Sequence, residues 1–115
     1  MTNMESIFGE GINHRISLEL AAEFTENYRS IRGNIILGEF FNRESLQELL
    51  RQQDCTGMRI YYGLASRLEP DSRVLVLVGT DRHGNDLVRG IILDQGLVCP
   101  PYCSNRNPLN SNIRI

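Results

Sequence analysis

Two helical stretches followed by a run of short strands predict an α+β fold, with two helices packed on a three- to four-stranded antiparallel sheet arranged as a meander. Three observations predict it. Apolar residues recur every three to four positions over 17–32 and 42–53, the period falls to two after Gly57, and turn residues at 70–72 and 81–86 separate three strand-like runs.

Residues 1–16 mix Gly9, Gly11 and Asn13 with isolated apolar side chains and sustain no period, so they read as an irregular arm. The first helix begins where Ser17 can cap the free N–H groups and Glu19 can complement the dipole. Leu20, Ala21, Phe24, Tyr28 and Ile31 make one apolar stripe, and Gly33 ends it as a left-handed cap residue. The connector 34–41 is too short to classify and fits either a strand or an extra helical turn. Asn42 caps the second helix, with Phe41 and Leu46 spaced as a hydrophobic staple and Leu46, Leu49 and Leu50 on its inner face.

The strand runs follow. Met58, Ile60, Tyr62 and Leu64 alternate with Arg59, Tyr61 and Gly63, and the run 74–78 is apolar on both faces. A hairpin loop at 81–86 offers Gly84 for a positive φ, and 87–93 returns as a third strand. Beyond it, Pro100, Pro101 and Pro108 with four Asn cannot continue a central strand. Composition therefore divides the chain into an arm at 1–16, an α+β domain at 17–98 and a Pro/Asn-rich tail at 99–115.

Composition also limits the chemistry. At 115 residues the chain is one domain able to hold a core without metal or disulfides. All 12 cations are Arg, which excludes Schiff-base chemistry and any lysine base, because guanidinium does not give up its proton near neutral pH. A formal charge of -2 with scattered Arg offers phosphates no basic run, so no nucleic acid partner is expected. No apolar stretch reaches the ~20 residues of a spanning helix, and the start lacks the pattern of a signal peptide. A cytoplasmic location with reduced thiols is the expectation.

Cys55, Cys99 and Cys103 invite a metal or redox reading. With Pro100 and Pro101 holding the link extended, Cys99 and Cys103 would stand about 12 Å apart, beyond the roughly 7 Å limit for a disulfide. Only a cis proline or a tight turn would bring them together. Inert buried thiols, a reactive Cys103 and a zinc site completed by His14 or His83 stay open as readings; otherwise no cofactor is expected. His83 beside Asp81 and Asp86 reads as a solvated turn residue, and no base stands near a nucleophile, so catalysis is not expected.

Arg59 and Tyr61 on one strand, Arg89 on another, and Val76 in the apolar run are the candidate binding residues, since planar cations and a phenol suit a partner surface. Two branched faces at 74–78 need cover, from the arm and tail or from a second copy. The expected function is a non-enzymatic binding or self-assembly module acting through an apolar sheet face, with a homo-oligomer or another protein as partner. The alternative is a thiol- or zinc-dependent small regulatory protein using Cys55, Cys99 and Cys103.

The runs at 17–29, 57–63, 74–86 and 99–103, the second reading Gly-Met-Arg-Ile-Tyr-Tyr-Gly and the last Cys-Pro-Pro-Tyr-Cys, resemble a set of small bacterial proteins of unknown function. The similarity spans most of residues 17–105. It implies a free-standing small protein and assigns no site.

Overall fold

The computed structural model describes residues 7–9, 11–33 and 35–114; residues 1–6 and 10 of the expected arm, with residues 34 and 115, thus lie outside the described residues. Its elements are helix α1 (Leu18–Arg32), strand β1 (Gly38–Phe40), helix α2 (Arg43–Leu50) and strands β2 (Gly57–Leu64), β3 (Arg73–Thr80), β4 (Ile92–Leu93) and β5 (Leu97–Cys99). The class is α+β, and all pairings are antiparallel. The five strands form two sheets rather than one, ordered β1-β5 and β2-β3-β4. Contacts gather the chain into two compact units, Met1–Asn13 with Phe41–Gly96, and His14–Phe40 with Leu97–Ile115. These units cut across the division into arm, domain and tail that composition suggests.

In the first unit, Asn42 accepts the Ser45 N–H at 2.9 Å and starts α2. The helix buries Leu49 completely, the one side chain among the described residues with no exposed surface. Strands β2 and β3 pair over eight consecutive positions, from Gly57 opposite Thr80 to Leu64 opposite Arg73. Cross-strand neighbours share a face. Met58, Ile60, Tyr62 and Leu64 therefore stand with Gly79, Leu77, Leu75 and Arg73 on one side, and Arg59, Tyr61 and Gly63 with Val78, Val76 and Val74 on the other. The first side receives the segment that follows α2: a Cβ at Gly79 would lie 3.0 Å from both Cys55 Sγ and Gln52 Nε2, so a larger residue there would have to push these side chains aside. Leu77 and Val78, on opposite faces, are both buried.

The strand expected at 87–93 is shorter in the structure. Asp86 bridges Thr80 and Leu87 N–H donates to Gly79 O, but the chain then turns, Gly90 N–H donating to Leu87 O, before β4 resumes for two residues. Gln52 holds this excursion in place. Its side chain donates to Leu49 O at 2.8 Å and accepts the Ile91 N–H at 2.7 Å.

In the second unit, Ser17 caps α1 as expected, accepting the Leu20 N–H at 3.1 Å. Gly33 has φ 72° and ψ -137°, so it ends the helix with a positive φ but outside the left-handed helical region. The inner face of α1 is Ala21, Ala22, Thr25, Tyr28 and Arg29, whereas Phe24 and Ile31 of the expected stripe are exposed. Polar contacts select that face: Arg29 donates to Leu109 O at 2.8 Å and Asn112 Oδ1 at 2.9 Å, and the Tyr28 hydroxyl donates to Ile36 O. The connector resolves into strand β1, paired with β5. The Asn-rich tail is ordered by its own side chains, Asn107 accepting the Leu109 N–H and Asn110 accepting the Asn107 N–H.

Leu49 should be the most sensitive apolar position in the first unit. Leu49→Ala is expected to lower unfolding stability by about 2–5 kcal/mol, whereas Leu68→Ala, at a residue 91% exposed, should change it by less than about 0.5 kcal/mol in the same urea titration.

Candidate functional site

Strand alternation places Arg59 and Tyr61 two residues apart on one face of β2, and Asp86 reaches them from the far side of β3 through its bridge to Thr80. The three side chains meet. Arg59 Nη1 donates to Asp86 Oδ1 at 2.5 Å and to Gly84 O at 2.9 Å, and the Tyr61 hydroxyl donates to Asp86 Oδ2. The guanidinium also lies 5.8 Å from the Phe8 ring centroid, within cation–π range. Phe8 packs so tightly over the 81–86 loop that a Cβ at Gly84 would come within 2.5 Å of its ring. Val78, the cross-strand partner of Arg59, is buried on this same face.

The loop that delivers Asp86 is itself organised by a carboxylate. Asp81 Oδ1 accepts the N–H groups of His83 and Asn85, at 2.9 and 3.0 Å, and Gly84 takes φ 83° as the turn requires. Those N–H groups, Asn85 first, hold the Asp81 carboxyl below the usual aspartate range.

Asp86 is likewise held low, first by the Tyr61 hydroxyl and then by Arg59, against desolvation that pushes it up. The same bonds raise the Tyr61 phenol and the Arg59 guanidinium above their ordinary values, Asp86 being the main cause for each. The cluster is thus a mutually satisfied triad rather than a general base in search of a proton.

Of the sequence-derived candidates, Arg59 and Tyr61 come together, Val76 stands opposite Tyr61 in the register, and Arg89 lies apart on the exposed turn after Leu87. Asp86, Phe8 and Gln52 were not expected. Asp86 reads as one loop acid among several until the register sets it across β3, and Phe8 belongs to a stretch with no period.

The cysteines differ most from expectation. Cys99 and Cys103 form a disulfide with Cα atoms 4.8 Å apart, where an extended link gives about 12 Å. The link is not extended: the Cys99–Pro100 and Pro100–Pro101 bonds are both cis, and Tyr102 N–H donates back to Val98 O at 2.9 Å. Reduced thiols at these two positions are therefore not what the structure holds, and both sulfurs are withdrawn from any ligand set with Cys55. Cys55 is free and half-buried, its thiol donating to Gly57 O at 3.2 Å. Among the described residues no group of three or more His, Cys, Asp or Glu is placed to hold a metal ion.

No family model, no curated protein and no solved structure matches this chain. No helix among the described residues is long and apolar enough to cross a membrane.

The triad predicts a pH signature. Because the folded pKa of Asp86 is depressed, its contribution is complete above the unfolded value near 3.9 and is lost as pH falls through the lower folded value; Tyr61, raised, contributes below about 10 and loses that contribution as pH rises through its folded value. Asp86→Asn should lower the urea midpoint at pH 7, with the deficit shrinking as parent and variant are taken below about pH 4. A deficit constant from pH 7 to pH 2 would show the carboxylate is not linked to folding.

Proposed function

We propose that this chain is a non-enzymatic self-assembly module in which two copies join through β2. The observation that carries this reading is the exposure of Ile60 at 50%, Tyr62 at 92% and Leu64 at 54%, three large apolar side chains on one face of an edge strand. Edge strands in monomers are usually blunted by proline, lysine, a bulge or shortness. β2 has no proline, lysine or bulge, and its one charge, Arg59, is bonded to Asp86 on the opposite face; its eight residues pair with β3 without interruption and its other edge carries no strand among the described residues.

The strand is also self-complementary. Reversed about Tyr61 in an antiparallel two-fold pairing, Met58 meets Leu64 of the second copy, Ile60 meets Tyr62, and Arg59 meets Gly63. Apolar groups face apolar groups, and no like charges oppose one another. Arg59, Tyr61 and Val76 then brace the opposite face, while exposed Arg89 is available to a carboxylate at the rim.

The partner in this reading is protein and not nucleic acid, since the 12 Arg are scattered along a chain of net charge -2. We read the reduced chain as its cytoplasmic form and the disulfide form as the one an oxidising compartment holds.

Sedimentation equilibrium of the full chain tests the proposal. Twice the 13.1 kDa protomer, about 26 kDa, is expected. Tyr62→Glu combined with Leu64→Glu should return the protomer mass while the far-ultraviolet circular dichroism of the folded chain is kept, both residues being exposed in the protomer. A parent chain that stays at the protomer mass at about 100 μM would overturn it.

A further inference from the structure

We propose that Cys99 and Cys103 form a thiol-exchange site, opened by a dithiol reductant, whose state sets the local order of the chain around β5. This site belongs to the second unit and does not depend on assembly through β2.

The bond joins positions only four apart. A disulfide stabilises a fold chiefly by closing a loop in the unfolded chain, and that effect grows with loop length, so so short a closure is poorly suited to a scaffold role. What it controls is the path of residues 99–103. That path is tied to its neighbours at the cysteine itself. Cys99 is the terminal pair of the β1/β5 ladder, opposite Gly38, and its carbonyl accepts the Leu37 N–H at 2.7 Å. Tyr102 N–H donates to Val98 O at 2.9 Å and Cys103 N–H to Pro101 O at 3.0 Å. A two-stranded ladder of three pairs is too short to persist by itself. Its end therefore relies on the turn that the disulfide closes.

Access follows from exposure. Cys103 is exposed and Cys99 half-buried, so an incoming thiolate reaches the sulfur of Cys103. That thiolate, having lost its proton, forms a new S–S bond to Cys103 as the bond to Cys99 breaks, and Cys99 leaves as a thiolate and takes up a proton. The second thiol of the reductant, deprotonated in turn, attacks the reductant sulfur of the mixed disulfide and expels Cys103, which is protonated. Two electrons pass to the cysteines, and the dithiol becomes its own disulfide. Cys55 takes no part, being half-buried with its thiol held by Gly57 O.

The test uses the full chain, treated with dithiothreitol in native buffer, alkylated, and followed by mass and by amide hydrogen exchange. Reduction should add two alkylated cysteines and speed exchange at the Leu37, Tyr102 and Cys103 amides about tenfold, with the Leu77 and Val78 amides unchanged. Cys99→Ser combined with Cys103→Ser should reproduce the fast pattern without reductant. A bond that opens only after denaturation, reduction that leaves those three amides as slow as before, or loss of protection throughout β2 and β3 would each overturn the proposal.

Discussion

Eight uninterrupted pairs between β2 and β3 decide what every neighbouring residue in the first unit can do. Because the strand period is two, this single register sorts Arg59 and Tyr61 to the side where Asp86 arrives and Ile60, Tyr62 and Leu64 to the other. A slip of one residue would exchange the faces, presenting the guanidinium to the side that packs α2 and leaving Asp86 against an isoleucine. Gly79 suits this register from the helix side, since a Cβ there would crowd Cys55 and Gln52 at 3.0 Å.

Much of this was legible in the sequence, and the part that was not has a common cause. The α+β class, two helices, the caps at Ser17 and Asn42, the extent of β2, the central run 74–78 of β3 and the positive φ at Gly84 all follow from local chemistry. The errors arose where distant residues decide. The inner face of α1 was read from its apolar stripe, but Arg29 and Tyr28 bond to the chain at 36, 109 and 112 and turn Phe24 and Ile31 outward. The third strand was read as continuous because no local signal marks Gln52, 39 residues upstream, as the acceptor that holds the 88–90 turn. Asp86 was invisible as a site residue for the same reason, its partners being 25 and 27 positions away. At Cys99 and Cys103 the difference is geometric: two prolines in a row make an extended spacer by local preference, whereas here the chain doubles back.

The run at 74–78 also changes meaning. Its oily character suggested a ridge in need of a roof, yet Leu77 and Val78 are buried and the three residues before them half-buried. Cover on the Val78 face is polar on its outside: Arg59 and Asp86 lie over it with Phe8 against the guanidinium. An arginine stem can shelter apolar surface while its head stays bonded, which is how a charged residue serves as a lid. The apolar excess lies instead on β2, on the face the lid does not reach.

That asymmetry supports the proposed assembly through β2. Asp86 has both oxygens occupied, Arg59 divides its donors between a carboxylate and a carbonyl, and Tyr61 spends its hydroxyl on the same acid. Side chains able to perform proton chemistry are thus committed to one another, in a cluster whose pKa shifts all widen the range over which it stays ionised as drawn. Meanwhile the residues with no polar use, Ile60, Tyr62 and Leu64, stand in water on a strand with an open edge. In the proposed pairing of β2 with its own reversed copy these are the side chains that would be covered, Ile60 against Tyr62 and Met58 against Leu64.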